Sequence, residues 1–308
     1  MKRPYAIPRR RRGFALLAVL WVVTAMALLG SAVNRSASES IGTAQNRVDA
    51  ARARWEVEGC LAETLSRLDM AMSVAADVAA EWDQLDRTVA AASPLAGCRV
   101  TLVPAGIALD LNVVDAAQLT RLFLAEHVSP DRADSLTSAI LDWRDADDIE
   151  RHTGAEGAWY SAHGRRGPRN APFAAAGELR IVRGFESASV LDTLLDVEPG
   201  RILLSAAPAA VLASLPGFGT EAVQRIQELS AHGSATLLQL SAALSPDARA
   251  LLQAHIPELQ SLVTVSPDAW IMTARASRGT HGTTSAELRI VRSGRRAAVL
   301  RHRSRPWA

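Results

Sequence analysis

The sequence predicts an α+β fold: a long N-terminal helix, an antiparallel sheet, and two helical blocks inserted between its first and last strands. Three observations carry this. An uncharged apolar run at 14–33 passes directly into a helix-forming stretch. Segments of strand pattern lie on both sides of a helical middle. Within that middle, LDLNVVDAAQLTRLF (109–123) aligns with ILLSAAPAAVLASLP (202–216), each running from a strand-like start into an amphipathic helix.

The first element is the strongest. FALLAVLWVVTAMALLGSAV, Phe14 to Val33, holds 20 residues without a charge, and at helical rise it spans roughly 30 Å, one hydrocarbon core. Arg9–Arg12 stand immediately before it, so the positive-inside rule leaves residues 1–13 in the cytoplasm and the rest outside. A cleaved secretory signal would have a shorter apolar region and a small-x-small site after it. An ordinary single-span anchor fits the segment equally well, while length and flank argue against a buried core helix. The leader also distorts the charge balance. The 308 residues carry a net +2, but residues 1–13 hold six basic groups and no acid. Without them 28 basic residues face 32 acidic ones, which argues against a nucleic-acid surface. With 48% apolar residues the chain has enough for a sizeable core.

Helix formers continue after Val33. One long helix is expected from about Phe14 to about Ala62, and a second stretch to about Trp82. Val48, Ala51, Trp55 and Cys60 are read as one face, and Leu61, Leu65, Leu68 and Met72 repeat the spacing. Ser93-Pro94 and Gly97 end the helices. CRVTLV and IALDLN, around Pro104-Ala105-Gly106, read as a β-hairpin. Leu119, Leu122 and Phe123 mark a helix that Asn112 is placed to cap, as Ser205 is in the second copy. Pro130 opens another, with Leu136, Ile140 and Trp143 on one stripe. Residues 144–177 are loop, and ELRIVR at 178–183 reads as a short strand. Helices return from about Ala207 to Leu259. SLVTV, AWIMTARAS, SAELRIVR and AAVLRHRS are then strands, with a tight turn at Ser293-Gly294-Arg295. ELRIVR thus occurs twice, at 178 and 287, with different flanks.

Three groups of residues invite a chemical reading. Asp142, Asp145, Asp147, Asp148, Glu150 and Glu156 cluster where a helix ends and a loop begins. Carboxylates are unfavourable at a helix C-terminus, and a hard cation such as calcium, which takes six to eight oxygen ligands, would relieve the conflict. The bland reading is a solvated acidic face paired with Arg144 and Arg151, and no EF-hand pattern is present. LPGFGTEAVQRI (215–226) resembles the hairpin of a helix-hairpin-helix module, whose helix N-terminus can hold a phosphate. Glu221 and Glu228 flank its Arg225, so the charge such binding needs is missing, and a structural turn is favoured. Cys60 and Cys98, the two cysteines, are either a disulfide joining the helix to the first strand or two buried thiols. The seven histidines show no H-x-x-x-H spacing, and neither G-x-S-x-G nor a Walker A loop occurs, so no enzyme is expected.

The order of basic leader, Gly13, Phe14 and apolar run is that of type IV prepilins and pseudopilins. RRGFALLAVLWVV is similar to the K-type minor pseudopilins (GspK family) of type II secretion systems. LDLN, ILDWRDADD, GAEGAWY, RNAPF and ELRIVRGF follow in that family's order along nearly the whole chain. ILLSAAP in place of an asparagine-rich stretch, and Gly157 in place of an aspartate after GAE, depart from its pattern. The resemblance implies cleavage by a prepilin peptidase after Gly13, with Phe14 as the methylated N-terminus. It implies Ala18 where most pilins carry a glutamate, a mark of the tip position. It implies calcium, the one cofactor expected, held by Asp145, Asp147, Asp148 and Glu156. The domains it implies are a leader (1–13), a transmembrane part (14–33) and a periplasmic stalk with helical extension (34–96). The first strands of a pilin-like head (97–112) follow, then a helical module with the acidic loop (113–199). A second module (200–260), SAM-like or helix-hairpin-helix-like, precedes the last strands (261–308). The expected partners are other minor pseudopilins, the major pseudopilin, the prepilin peptidase and the inner membrane, with no nucleic acid; the bulk would lie in the periplasm. The competing reading is a membrane-anchored helix-hairpin-helix DNA receptor of the competence type. Such receptors end in the hairpin module, whereas about 50 residues of strand pattern follow Leu259 here.

Overall fold

The computed structural model describes residues 12–91, 97–186, 191–231, 233, 235–278 and 282–305. Most of the expected leader, residues 1–11, lies outside them. Helix α1 (Arg12–Val74) runs for 63 residues, roughly 95 Å at helical rise. No proline lies between Pro8 and Pro94 to interrupt it. Its apolar end is exposed on all sides and contains an 18-residue window of mean hydropathy 2.3 with none of it buried. That segment is long and apolar enough to cross a bilayer. The distal half buries Ala53, Val57, Leu61, Thr64, Leu68 and Met72 at steps of three and four, with Cys60 beside Leu61, and these form one face. The grouping of Val48 and Trp55 with Cys60 is corrected: Trp55 is 77% exposed and Val48 48%. Five residues turn a helix by about 140° beyond a full circle, so Trp55 and Cys60 face nearly opposite ways.

Asp77 then caps α2 (Val78–Trp82) by accepting from the N–H groups of Ala79 and Ala80, and α3 (Leu85–Ala91) follows. After β1 (Arg99–Pro104) and β2 (Leu109–Asp110) come α4 (Ala116–Ala125), α5 (Pro130–Arg144) and α6 (Gly157–Ala162). A 3-10 turn at Ala176–Ile181 leads to α7 (Leu191–Leu194) and β3 (Leu195–Asp196). The second block holds β4 (Ile202–Leu203), α8 (Ala209–Ser214) and α9 (Thr220–Ser230). It continues with α10 (Leu237–Ala243), α11 (Pro246–Ala254), α12 (Ile256–Leu262) and β5 (Val263–Thr264). Three long strands, β6 (Trp270–Arg278), β7 (Gly282–Ser293) and β8 (Arg296–Arg305), close the chain.

The main sheet has the order β1-β6-β7-β8 and is antiparallel throughout. Its inward side alternates as a half-buried sheet must. Trp270 stands opposite Ile290, Met272 opposite Leu288 and Ala274 opposite Ala286, all buried against α1. The alanines let the helix lie close to the strands. Leu300 is a bulge in β8, since Arg289 pairs with Arg301 while Ile290 pairs with Val299; bulges of this kind twist and blunt an edge strand. Trp82 and Trp270 lock the helical extension to the sheet: Trp82 Nε1 donates to Pro267 O at 2.7 Å, and Trp270 Nε1 donates to Trp82 O at 3.0 Å.

The helical blocks have a second core of their own, built around Leu119, Phe123, Ile140, Tyr160, Phe185 and Ile226. Each block closes on a two-stranded parallel ladder, β2 with β3 and β4 with β5, so the internal sequence repeat corresponds to a structural one. The expected caps are corrected. Asp115 caps α4, in a box with Gln118, and Pro208 precedes α8. Asn112 instead clamps Phe173, accepting from its N–H at 2.7 Å and donating to its carbonyl at 3.0 Å. The hairpin expected at 98–112 is also corrected. β1 pairs with β6, 166 or more residues away in sequence, and β2 belongs to the first helical block. Alternation along a strand gives its faces but not its partner. The Gly106 carbonyl accepts from Leu203 N–H at 2.9 Å, which turns the chain out of the sheet.

Candidate functional site

The acidic loop joins α5 to α6 and is organised by one carboxylate. Asp142 is 0% exposed. Its Oδ2 accepts from Ala155 N–H at 2.8 Å and from Arg151 N–H at 3.3 Å, and its Oδ1 accepts from Arg151 Nη1 at 2.5 Å. A buried carboxylate persists only with such partners. Gly154 is required here: a Cβ on it would stand 1.9 Å from Asp142 Oδ2. Further bonds pin the loop from outside. Thr153 Oγ1 donates to Asp134 Oδ2 at 2.7 Å, and Arg183 Nη1 donates to Gly154 O at 2.6 Å.

Inside this frame several oxygens are buried without a hydrogen-bond donor: both of Glu156, Oδ1 of Asp145 and Oδ1 of Asn170. Glu156 is 3% exposed. Burial pushes its carboxyl up to about 7, and the charges of Asp142, Asp145 and Asp148 push in the same direction. The Gly157 N–H opposes this slightly but makes no hydrogen bond to Glu156 of normal geometry. Asn170 is fixed in orientation, since its Nδ2 donates to Asp147 O at 3.0 Å and to Asp148 Oδ1 at 2.8 Å. Its carbonyl oxygen is therefore the atom left over.

The four expected ligands thus divide. Asp145 and Glu156 present oxygens with no partner, whereas Asp148 accepts from Asn170 and Asp147 Oδ1 accepts from Ile149 N–H at 2.9 Å. Asn170 does not stand out in the sequence because it carries no charge, and only the structure, where α6 separates it from the acidic segment and its φ is 50°, brings it to the cluster. Among the described residues no three acidic, histidine or cysteine side chains stand together as a ready-made metal cage. The unsatisfied oxygens are two carboxylates and an amide, a donor set that suits a hard cation completing its shell with water.

The other candidates are placed as follows. Gly13 and Phe14 lie in the first turn of α1, and Ala18 is exposed on its apolar end. Cys60 and Cys98 are disulfide-bonded, with Cα atoms 6.7 Å apart, tying α1 to the start of β1. In the hairpin Gly217 has φ 75°. Glu221, at the start of α9, accepts from Ser245 N–H at 2.8 Å and Oγ at 2.7 Å, and Arg225 pairs with Glu228. A phosphate there would meet the Glu221 carboxylate at the helix start and an Arg225 that is already paired.

Comparison with known proteins agrees with this architecture. Residues 105–195 match the first-domain family model described as type II secretion system (T2SS), protein K. No curated protein matches. Among solved structures the chain is similar to a chain of the GspK–GspI–GspJ complex of the enterotoxigenic Escherichia coli type 2 secretion system. The TM-score is 0.61 at 18% identity, over 85% of this chain and 99% of that one. The first helical block, with its acidic loop, is thus the part that matches the protein K family model, and the fold is shared with the structural neighbour over 85% of the chain.

Proposed function

We propose that the chain is the K-type minor pseudopilin of a type II secretion system, capping or initiating its pseudopilus. The observation that carries the reading is a protein K domain inserted into a pilin-like sheet behind one continuous helix with an apolar end. The helix anchors the protein in the inner membrane, and the folded part works in the periplasm. The Cys60–Cys98 disulfide supports an oxidising compartment. A prepilin peptidase cuts between Gly13 and Phe14. The partners are smaller minor pseudopilins, the kind of neighbour named in the similar complex, and the major pseudopilin below them. A DNA-receptor role has no comparable support.

Ala18 explains the tip position. A carboxylate among apolar fibre helices needs a partner, such as the N-terminal amine of the subunit above. The topmost subunit has none, and an unpaired acidic residue in the apolar span costs up to about 2.5–3.5 kcal/mol, the value at a bilayer centre. Ala18→Glu is therefore expected to lower pseudopilus formation in reconstituted membranes about 100-fold, while wild-type protein carries Phe14 first by mass analysis. Undiminished assembly by the variant, or immunogold label along the whole fibre, would overturn the capping role.

The same reading includes a calcium ion at the acidic loop. Asp145, Glu156 and Asn170 would hold it, with Asp147 and Asp148 beside them, and it would supply the positive charge their buried oxygens lack. The Glu156 carboxyl is raised in the folded protein, so that state binds more protons than the unfolded one between pH about 4.5 and about 7. Cation-free protein should accordingly lose stability as pH rises through this window. Calcium at about 100 times its Kd should then restore about 2.7 kcal/mol at pH 7.5. Glu156→Gln should abolish the calcium effect and the pH slope together. Identical melting curves with chelator and with millimolar calcium would refute the site.

A further inference from the structure

Arg151 sits between the two carboxylates that frame the acidic loop. One nitrogen, Nη1, reaches Asp142 Oδ1 at 2.5 Å and Asp145 Oδ2 at 2.6 Å. Burial works against its charge, but the bonds to Asp145 and Asp142 outweigh this and leave the guanidinium more basic than usual. Asp145 is thereby divided: Oδ2 faces Arg151, while Oδ1 is buried without a partner. The other guanidinium groups near the loop have different duties. Arg144 donates to the carbonyls of Leu111 and Val114, and Arg183 donates to Gly154 O.

We propose that Arg151 is the built-in counter-cation of the acidic loop, a positioning residue that keeps Asp142 and Asp145 in place when no divalent ion is bound. The inference rests on the calcium reading above and adds how the protein survives without the ion. Asp142, Asp145 and Asp148 lie close enough to Glu156 for their charges to act on its carboxyl, so the loop gathers four acidic groups. Arg151 offsets one of these four charges, and a divalent cation would offset two more. Removing Arg151 leaves a fully buried carboxylate held by backbone N–H groups alone, which is the unfavourable half of a broken ion pair. With the arginine present, the ion refines a loop that is already folded; without it, the ion becomes a condition of folding. Because a single nitrogen bridges both acids, a lysine ammonium can substitute in part, whereas a neutral amide cannot.

The test is amide hydrogen exchange on the full chain in detergent, with chelator or with calcium chloride, for wild type, Arg151→Gln and Arg151→Lys. With chelator, peptides over 151–156 should exchange at least ~10-fold faster in Arg151→Gln than in wild type, while α4 is unchanged; such a factor corresponds to about 1.4 kcal/mol of local opening. Calcium should return the Gln variant to near wild-type protection, and Arg151→Lys should stay close to wild type in chelator. Should Arg151→Gln lose protection throughout, recovery of the whole fold on adding calcium supports the proposal, and failure to recover overturns it. Equal loop protection in wild type and Arg151→Gln under chelator overturns it with the calcium reading intact. Equal losses in Lys and Gln variants also overturn it, because charge would then not be the cause. If calcium changes neither the melting nor the exchange of wild type, the calcium reading itself fails, and this inference with it.

Discussion

Gly106→Ala should be among the most damaging single substitutions in the folded part of the chain. Gly106 has φ +87°, a conformation costing an L-residue roughly 1–2 kcal/mol. A Cβ there would meet the Arg201 carbonyl oxygen at 2.1 Å and the Leu203 nitrogen at 2.9 Å. Both are backbone atoms beside the β4–β5 ladder, so neither can move as a side-chain tip would. The same glycine accepts the Leu203 N–H bond that turns the chain from the sheet to the helical blocks. The expected loss is about 4 kcal/mol or more, which lowers the melting temperature by on the order of 10 °C. Gly164→Ala is the internal control. Its φ is also positive, +65°, but its Cβ would meet nothing within 4 Å, so it should cost about 1 kcal/mol. Thermal melts of the two variants that agree within about 1 kcal/mol would show that the crossing is not tight.

Loss of the Cys60–Cys98 bond should have a comparable effect by another route. The bond closes a segment with a sequence separation of 38 residues, which in the chain-entropy treatment corresponds to about 4 kcal/mol. Cys60 also lies in the core under the sheet, so its replacement should be apolar. The double variant Cys60→Ala, Cys98→Ala is expected to melt on the order of 10 °C lower than oxidised wild type. Reductant should bring wild type down to nearly the same value and leave the double variant unmoved. A wild-type melt that stays in place when both thiols are demonstrably free would contradict this.

Much of the fold was legible because its signals are local. The uncharged run, the proline-free helix after it and the helix start at Pro130 each depend on neighbours within one or two turns, whereas the caps read at Asn112 and Ser205 fall elsewhere in the structure. The K-type resemblance drew on the same stretches, and the domain match over 105–195 covers most of the motifs behind it. The acidic loop was legible as a cluster but not as a site. Spacing placed Asp145, Asp147, Asp148 and Glu156 near each other. Only the fold buries Glu156 and Asp145 Oδ1 without donors, brings Asn170 in from another loop, and spends Asp147 and Asp148 on local hydrogen bonds.

The hexapeptide ELRIVR shows where the sequence by itself stops. Periodicity of two reads both copies as strands, and in β7 the second copy is one, with Leu288 and Ile290 buried and strands hydrogen-bonded on both sides. The first copy enters a 3-10 turn instead, with Leu179 and Val182, three apart, in the helical core. Its Ile181 is 39% exposed, whereas the equivalent Ile290 is 0% exposed. Six residues carry the preference for an apolar face but not the choice of period. That choice falls to whichever partner satisfies the backbone: neighbouring strands around β7, and around 178–183 a core that two side chains reach only when the chain turns three residues at a time.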